Sequence, residues 1–298
     1  MRLVRHLEDL PYPELSAGSV VTIGAYDGLH LGHEQLLERV IHVAGDRKLT
    51  AVVMSFEPTP KEFFGGASPP ARLMRFREKF ESLETHGIDL FYCPRFAAPM
   101  RDISAPDFIR RILVHGLNAR YLVVGDDFHF ARRREGTIAH LNAVAAALDY
   151  DVEQVPSVVV NGIRVSSTAI RDALGKGDMK TAGKLLGRPY RMSGKIVKGD
   201  RVGRTLGYPT ANVDLRRRQS AVMGIFAVRV HGLDNGPHDA VASVGSRPTF
   251  NGTKPILEVH IFDFDAVSYT HLRAHETNDL ISDSVFCLKK GGGGGGGG

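Results

Sequence analysis

Tryptophan is absent from the 298 residues, and cysteine occurs only twice, at Cys93 and Cys287. Two cysteines without metal-ligand spacing exclude a disulfide scaffold and fit a reducing, cytoplasmic setting. Long apolar runs are missing as well. Val20–Ile23 and Ala51–Met54 are far shorter than the ~18–20 residues of a membrane-spanning helix, so no membrane partner is expected. The N-terminus carries Glu8 and Asp9 and has no apolar core, which argues against a secretory signal. A large excess of one charge is also lacking. The 38 basic and 33 acidic residues leave +5, enough to suit anionic ligands but too little to require nucleic acid. What remains is a chain long enough for about two domains.

Residues 266–298 stand apart. Ala266–Thr277 has neither the period of a strand nor a helical apolar stripe, and it resembles a translated sequencing adapter. Eight glycines, Gly291–Gly298, close the chain. A natural tail with a flexible linker is the alternative. The segment is expected to be non-native and is set aside, so functional residues are sought in residues 1–265.

Within residues 20–160, short apolar runs alternate with helical patterns. Val20–Ile23, Ala51–Phe56, Leu90–Tyr92, Tyr121–Val124 and Val152–Val155 read as strands. Gln35–Ala44, Arg72–His86, Pro106–His115 and Ile138–Leu148 read as helices. This alternation predicts an α/β, Rossmann-like domain with a mostly parallel sheet, whose ligands sit beyond the carboxyl ends of the strands. After Leu186 the pattern changes to strand-like runs at Ser193–Val197, Ile225–Val230, Ala240–Val244 and Ile256–Phe262, which predicts a small antiparallel β-barrel. The chain is thus expected to hold domains of 1–186 and 187–265.

The strongest chemical signal runs from Gly24 to His33. A buried strand ends at Gly24, and glycines let the backbone approach a ligand. A helix beginning near Gly32 presents N–H groups and partial positive charge to a phosphate. His30 and His33, three residues apart near that point, can both donate to a phosphate as charge develops on it. A bare H-x-x-H also fits a structural turn or a metal pair; the strand–turn–helix setting favours phosphate. A second cue is Arg164-Val165-Ser166-Ser167-Thr168-Ala169-Ile170-Arg171. Ser and Thr at a helix start are ordinarily caps, but two arginines and three hydroxyls exceed what a cap needs.

H-x-G-H with a downstream S-S-T-x-x-R resembles the nucleotidylyltransferase superfamily. Phe56–Pro60, Val124–Phe130, Arg132–Gly136 and Leu186–Tyr190 are similar, more narrowly, to the bifunctional bacterial riboflavin kinase/FMN adenylyltransferases, or FAD synthetases. The resemblance spans about residues 15–265. Thr59 stands where that family usually has His, and Ala131 where it usually has Gly. The resemblance implies FMN + ATP → FAD + pyrophosphate. It assigns His30 and His33 to the α-phosphate, Arg164, Ser167, Thr168 and Arg171 to the ATP phosphates, and Gly24, Asp27 and Gly28 to the phosphate-binding first turn. Asp127 would line the nucleotide–flavin pocket; a plain turn residue is its alternative.

Gly199–Asn212 is glycine-rich but is not a Walker loop, because Gly-Lys-Ser/Thr is missing. It resembles the riboflavin kinase signature, which implies Thr210 and Asn212 as ligands of Mg²⁺ and ATP phosphates. By the same resemblance Glu258 is the general base for the riboflavin 5′-hydroxyl; read alone, it is a solvated strand residue. ATP, riboflavin and FMN are then the substrates, with Mg²⁺ as cofactor. Arg216-Arg217-Arg218 reads as a solvated loop, with an RNA site as the alternative.

Two competing readings remain. One is adenylylation of another phosphate such as phosphopantetheine, which leaves Pro209–Asn212 and Glu258 without purpose. The other is a nucleic-acid-binding barrel, which lacks aromatics interleaved in a basic groove. With residues 266–298 set aside, the barrel is expected to be incomplete, with an open edge. Such a chain would convert FMN to FAD but phosphorylate riboflavin poorly.

Overall fold

Continuous apolar runs form strands buried on both faces, and such strands belong in parallel sheets. The computed structural model describes residues 1–66, 68–197, 210–233, 237–249, 252–263 and 284–289. Its first sheet contains β1 (Arg2–Val4), β2 (Ser19–Ile23), β3 (Thr50–Met54), β4 (Leu90–Tyr92), β5 (Ala119–Gly125) and β6 (Asp151–Val155). The order is β1-β4-β3-β2-β5-β6, and every neighbouring pair is parallel. From β2 the chain proceeds outward through β3 and β4 on one side, then returns to add β5 and β6 on the other. The strand order therefore reverses between β2 and β5, the place where sheets of this kind bind ligands.

Helices Leu31–Arg47, Phe76–Thr85 and Ile138–Leu148 connect the strands, with a π-helical segment at Phe108–Gly116. Val21, Val52, Leu90 and Leu122 from the sheet share a buried cluster with Phe108 and Ile112 from that segment. Burying each such side chain stabilises the fold by about 1.5–3 kcal/mol. Asn161 and Gly162, both at positive φ, turn β7 (Val159–Val160) into β8 (Ile163–Arg164), as asparagine–glycine hairpins commonly do.

The chain divides into two compact units. Residues 1–70 and 76–165 form the first. Residues 71–75 join the second, which starts at Ser166, so helices Ser167–Gly175 and Met179–Leu186 belong with the C-terminal part of the chain. Arg217 explains how residues 71–75 are held in the second unit. Its side chain is buried and donates to the carbonyls of Arg72 and Leu73, at 3.0 and 3.2 Å, and to the Tyr190 hydroxyl at 2.9 Å. The solvated-loop reading of Arg216–Arg218 is thereby corrected at its centre. A buried guanidinium nitrogen donating to these carbonyls is a structural tie.

The second unit contains a closed antiparallel barrel. Its strands are β9 (Arg191–Val197), β10 (Ala211–Asp214), β11 (Gly224–His231), β12 (His238–Thr249), β13 (Gly252–Ile261) and β14 (Ser284–Lys289). Around the barrel they run β10-β13-β12-β11-β14-β9, and β9 returns to β10. The glycine at position 194 is required by closeness: a Cβ there would lie 2.5 Å from Val213 Cγ1 and 2.6 Å from the Asp214 carbonyl oxygen. The expected open edge is overturned, because β14 comes from within residues 266–298. Val285-Phe286-Cys287-Leu288 is a short apolar run of the type that forms strands, and it pairs with both β11 and β9. Unpaired edge groups of the barrel are satisfied by that pairing. No helix among the described residues is long and apolar enough to cross a membrane.

A chain stopped after Asp265 loses β14 and leaves β9 and β11 with bare edges. The second unit should lose stability comparable to the ~5–15 kcal/mol of a whole domain. Limited proteolysis of the second unit should become rapid, while the first unit, residues 1–70 and 76–165, stays protected. Equal protection of both units would show that β14 does not support the barrel.

Candidate active sites

The turn after β2 is built against ordinary backbone preference. Tyr26, Gly28 and Leu29 have φ of 49°, 92° and 41°, a region that residues with side chains rarely adopt. Tyr26 is wholly buried, and its hydroxyl shares a 2.6 Å hydrogen bond with the Thr22 hydroxyl on β2. A Cβ at position 24 would lie 3.0 Å from that ring, so glycine there gives the tyrosine room. Asp27 is buried in the same turn.

His30 is the N-cap of helix Leu31–Arg47, its Nδ1 accepting from the His33 backbone N–H at 3.3 Å. With Nδ1 as acceptor, neutral His30 carries its proton on Nε2. His33 stacks on His30 with ring centroids 3.7 Å apart, and Tyr26 lies 4.9 Å from His33 on a tilted ring. The His33 Nδ1 is buried with no hydrogen-bond partner. Burial, and then the charges of His30 and Lys79, hold the His33 pKa well below the usual histidine range. Lys79, itself buried, donates to the Ala25 carbonyl at 2.6 Å.

A second cluster joins the loop after β5 to the β7–β8 hairpin. Arg164 lies 2.9 Å from the Asp127 carboxylate and 3.1 Å from that of Asp126. Its Nε also donates to the Ser157 hydroxyl at 2.8 Å. Ser157 in turn donates to Asp126 through both its backbone N–H and its hydroxyl, at 3.0 and 2.7 Å. These bonds, the hydroxyl first, hold the Asp126 carboxyl below its ordinary pKa. Asp127 and Arg164 are thus brought together, with Arg164 bound to carboxylates.

Ser166, rather than Ser167 or Thr168, caps helix Ser167–Gly175, accepting from the Ala169 N–H at 3.2 Å. Ser167 and Thr168 therefore occupy the first helical positions without the cap role falling to them, at an end that favours anions. Arg171 donates to the Ala71 carbonyl at 2.7 Å, so the two arginines of this stretch have different partners. In the barrel, Asn212 on β10 is directly opposite Glu258 on β13. Flanking Ala211, Val213, Leu257 and Val259 are buried while Glu258 is exposed, which puts the pair on the outer face. Thr210 immediately precedes β10; residues 199–209 of the glycine-rich stretch lie outside the described residues. Among the described residues no group of three or more His, Cys, Asp or Glu is placed to hold a metal ion.

Residues 12–169 match the family model for FAD synthetase, and residues 186–280 match that for riboflavin kinase. The chain belongs to the family of bifunctional riboflavin kinase/FMN adenylyltransferases. The family's protein from Escherichia coli (strain K12) is 42% identical over 88% of this chain and 84% of its own length. That from Haemophilus influenzae is 39% identical over 90% and 87%. A crystal structure titled as a macrolide-efflux protein from Streptococcus pneumoniae superposes with a TM-score of 0.76 at 29% identity, covering 97% of this chain and 90% of that one.

The two departures from the family pattern have distinct local effects. Thr59 caps helix Pro60–Phe64 in a reciprocal box with Glu62. Ala131 sits at φ 63°, ψ −174°, a region essentially reserved for glycine. Lys79 and Asp126 escaped the reading of the sequence. A signal for Lys79 existed: it shares the inward stripe of its helix with Leu83, where an apolar residue is the norm. Asp126 gave none, because its role depends on Ser157, thirty-one residues away.

Ala131→Gly should release backbone strain and stabilise the first unit by roughly 1 kcal/mol, raising its melting temperature by ~2–4 °C. A lower melting temperature would show that the packing of the alanine methyl outweighs the strain. The depressed His33 pKa sets a pH trend. Below about pH 6.5 the unfolded chain binds a proton at this site that the folded chain does not, so stability falls with pH, at up to ~1.4 kcal/mol per unit. Denaturant titrations at pH 7.5 and 5.5 should show a smaller drop for His33→Gln than for the parent. Equal drops would remove His33 as the cause.

Proposed function

We propose that this chain makes FAD in two steps, with riboflavin phosphorylation in residues 187–265 together with β14, and FMN adenylylation in residues 1–186. The observation that carries the reading is the stacked His30–His33 pair at the N-terminus of the helix that follows β2, the strand bordering the switch point of the sheet. In the adenylylation step an oxygen of the FMN phosphate attacks the ATP α-phosphorus in line. The new P–O bond forms as the bond to the leaving oxygen breaks, and pyrophosphate takes that electron pair. No covalent enzyme intermediate is needed, so positioning and charge stabilisation supply the catalysis.

His30 donates through Nε2, and His33 adds a second imidazole donor where negative charge builds on the α-phosphate. Gly24, Asp27 and Gly28 hold the turn that presents them. Ser167, Thr168 and Arg171 bind the remaining phosphates, while Arg164 and Asp127, already paired, border the pocket. In the kinase step Glu258 takes the proton of the riboflavin 5′-hydroxyl as that oxygen attacks the ATP γ-phosphorus, and ADP leaves. Thr210 and Asn212 offer hydroxyl and amide oxygens, a donor set suited to Mg²⁺, which binds largely through phosphates. When bound, Mg²⁺ offsets phosphate charge. ATP, riboflavin and FMN are the partners of this reading, and a reducing cytoplasm is its compartment.

The two steps separate experimentally. Purified protein given FMN and ATP should yield FAD, and given riboflavin and ATP should yield FMN, both resolved by chromatography. His30→Ala or His33→Ala should lower adenylylation by ~10²–10³ while FMN binding changes little. Glu258→Gln should suppress only the kinase step. A parent protein that turns over neither flavin would end this reading. Histidine variants with near-normal FAD formation would move the chemistry elsewhere.

A further inference from the structure

Lysine is among the residues least often buried, because removing an ammonium from water costs several kcal/mol unless its surroundings compensate. Lys79 is only 3% exposed. It faces inward from helix Phe76–Thr85 beside Leu83, at a position where an apolar side chain would cost nothing of this kind. Its Nζ reaches the Ala25 carbonyl at 2.6 Å. Ala25 directly precedes Tyr26, the first positive-φ residue of the strained turn, and its carbonyl also accepts from the Ser55 hydroxyl at 3.4 Å. Two donors, one from the end of β3 and one from the helix, therefore converge on one carbonyl of the turn that carries the histidine pair.

We propose that Lys79 is a positioning residue for adenylyl transfer: its buried ammonium pins the Ala25 carbonyl, fixes the turn bearing His30 and His33, and adds positive charge near the two imidazoles. The proposal rests on the reading of His30 and His33 as phosphate donors. The electrostatic coupling is independently visible, since the Lys79 charge is one of the causes that keep His33 unprotonated. A neutral His33 stacked at 3.7 Å avoids repulsion from its neighbour in the resting site. The charge of Lys79 then acts on the negative charge that builds on the α-phosphate during transfer, without occupying the space the phosphate needs. A neutral side chain of similar length fills the same volume but cannot supply that charge.

The test compares Lys79→Arg, Lys79→Met and Lys79→Gln in the full chain, with FAD formation from FMN and ATP as readout. Lys79→Met and Lys79→Gln should lower kcat by about tenfold or more, the scale of a lost electrostatic contact. KM for ATP and for FMN should stay within about threefold, since a positioning defect acts on the transition state rather than on ground-state binding. Lys79→Arg, which keeps charge and donors, should recover most of the rate. Lys79→Gln keeps a donor and serves if Lys79→Met does not fold. Parental kcat in Lys79→Gln would overturn the proposal. So would a loss that Lys79→Arg fails to rescue, or one that appears only in KM. Absence of FAD formation in the parent would instead count against the functional reading itself.

Discussion

The turn between Ile23 and Leu31 is held in a conformation that its own backbone disfavours, and much of the first unit serves to hold it there. Three positive φ values within four residues cost free energy that an isolated loop would release by rearranging. The compensation is buried and specific. The Tyr26 hydroxyl is tied to Thr22, Lys79 and Ser55 reach the Ala25 carbonyl, and His30 caps the next helix. Each tie comes from a different element, so no single neighbour can relax without opposing the others. The result is a histidine pair whose separation is set by the fold before any phosphate arrives.

The barrel depends on a different constraint, that a closed sheet has no free edge. Six strands close here because β14 pairs on both sides. Asn212 and Glu258 owe their adjacency to this ladder, since they face each other only in the register between β10 and β13. A slip of one residue would turn Glu258 toward the interior and break the pair. In the barrel, strand register plays the part that backbone strain and capping play in the first unit.

Those two constraints explain which features could be read from the chain alone. Periodicity located the long elements well: the run Val20–Ile23 became β2, and Ile138–Leu148 is a helix with the same bounds. His30 and His33 were legible because their neighbours in space are also their neighbours in sequence. Asp126, Ser157 and Arg217 were not, since their meaning comes from partners far along the chain. Arg217 reads as one member of a solvent-facing basic run until the carbonyls of Arg72 and Leu73 are seen to surround it. The three residues of β1 were too few to show a period, although their pairing with β4 extends the sheet. The run Val285–Leu288 has a strand's composition, but the adapter-like residues and glycines on either side of it masked that signal.

Charge in the first unit is distributed so that little of it is lost to mutual repulsion before substrate binds. Arg164 is neutralised locally by Asp126 and Asp127, and Lys79 is bound to a carbonyl. Two imidazolium rings stacked at this distance would repel strongly, and the depressed pKa of His33 means that the pair does not carry two charges at neutral pH. Neutral imidazoles can still donate, and on the proposed reading an arriving polyphosphate would raise their proton affinity by its own negative charge. The gain in attraction therefore grows as the phosphates approach and as charge concentrates during transfer. On the proposed reading of the pair, this places the strongest interaction in the transition state, where it accelerates the reaction instead of merely tightening the complex.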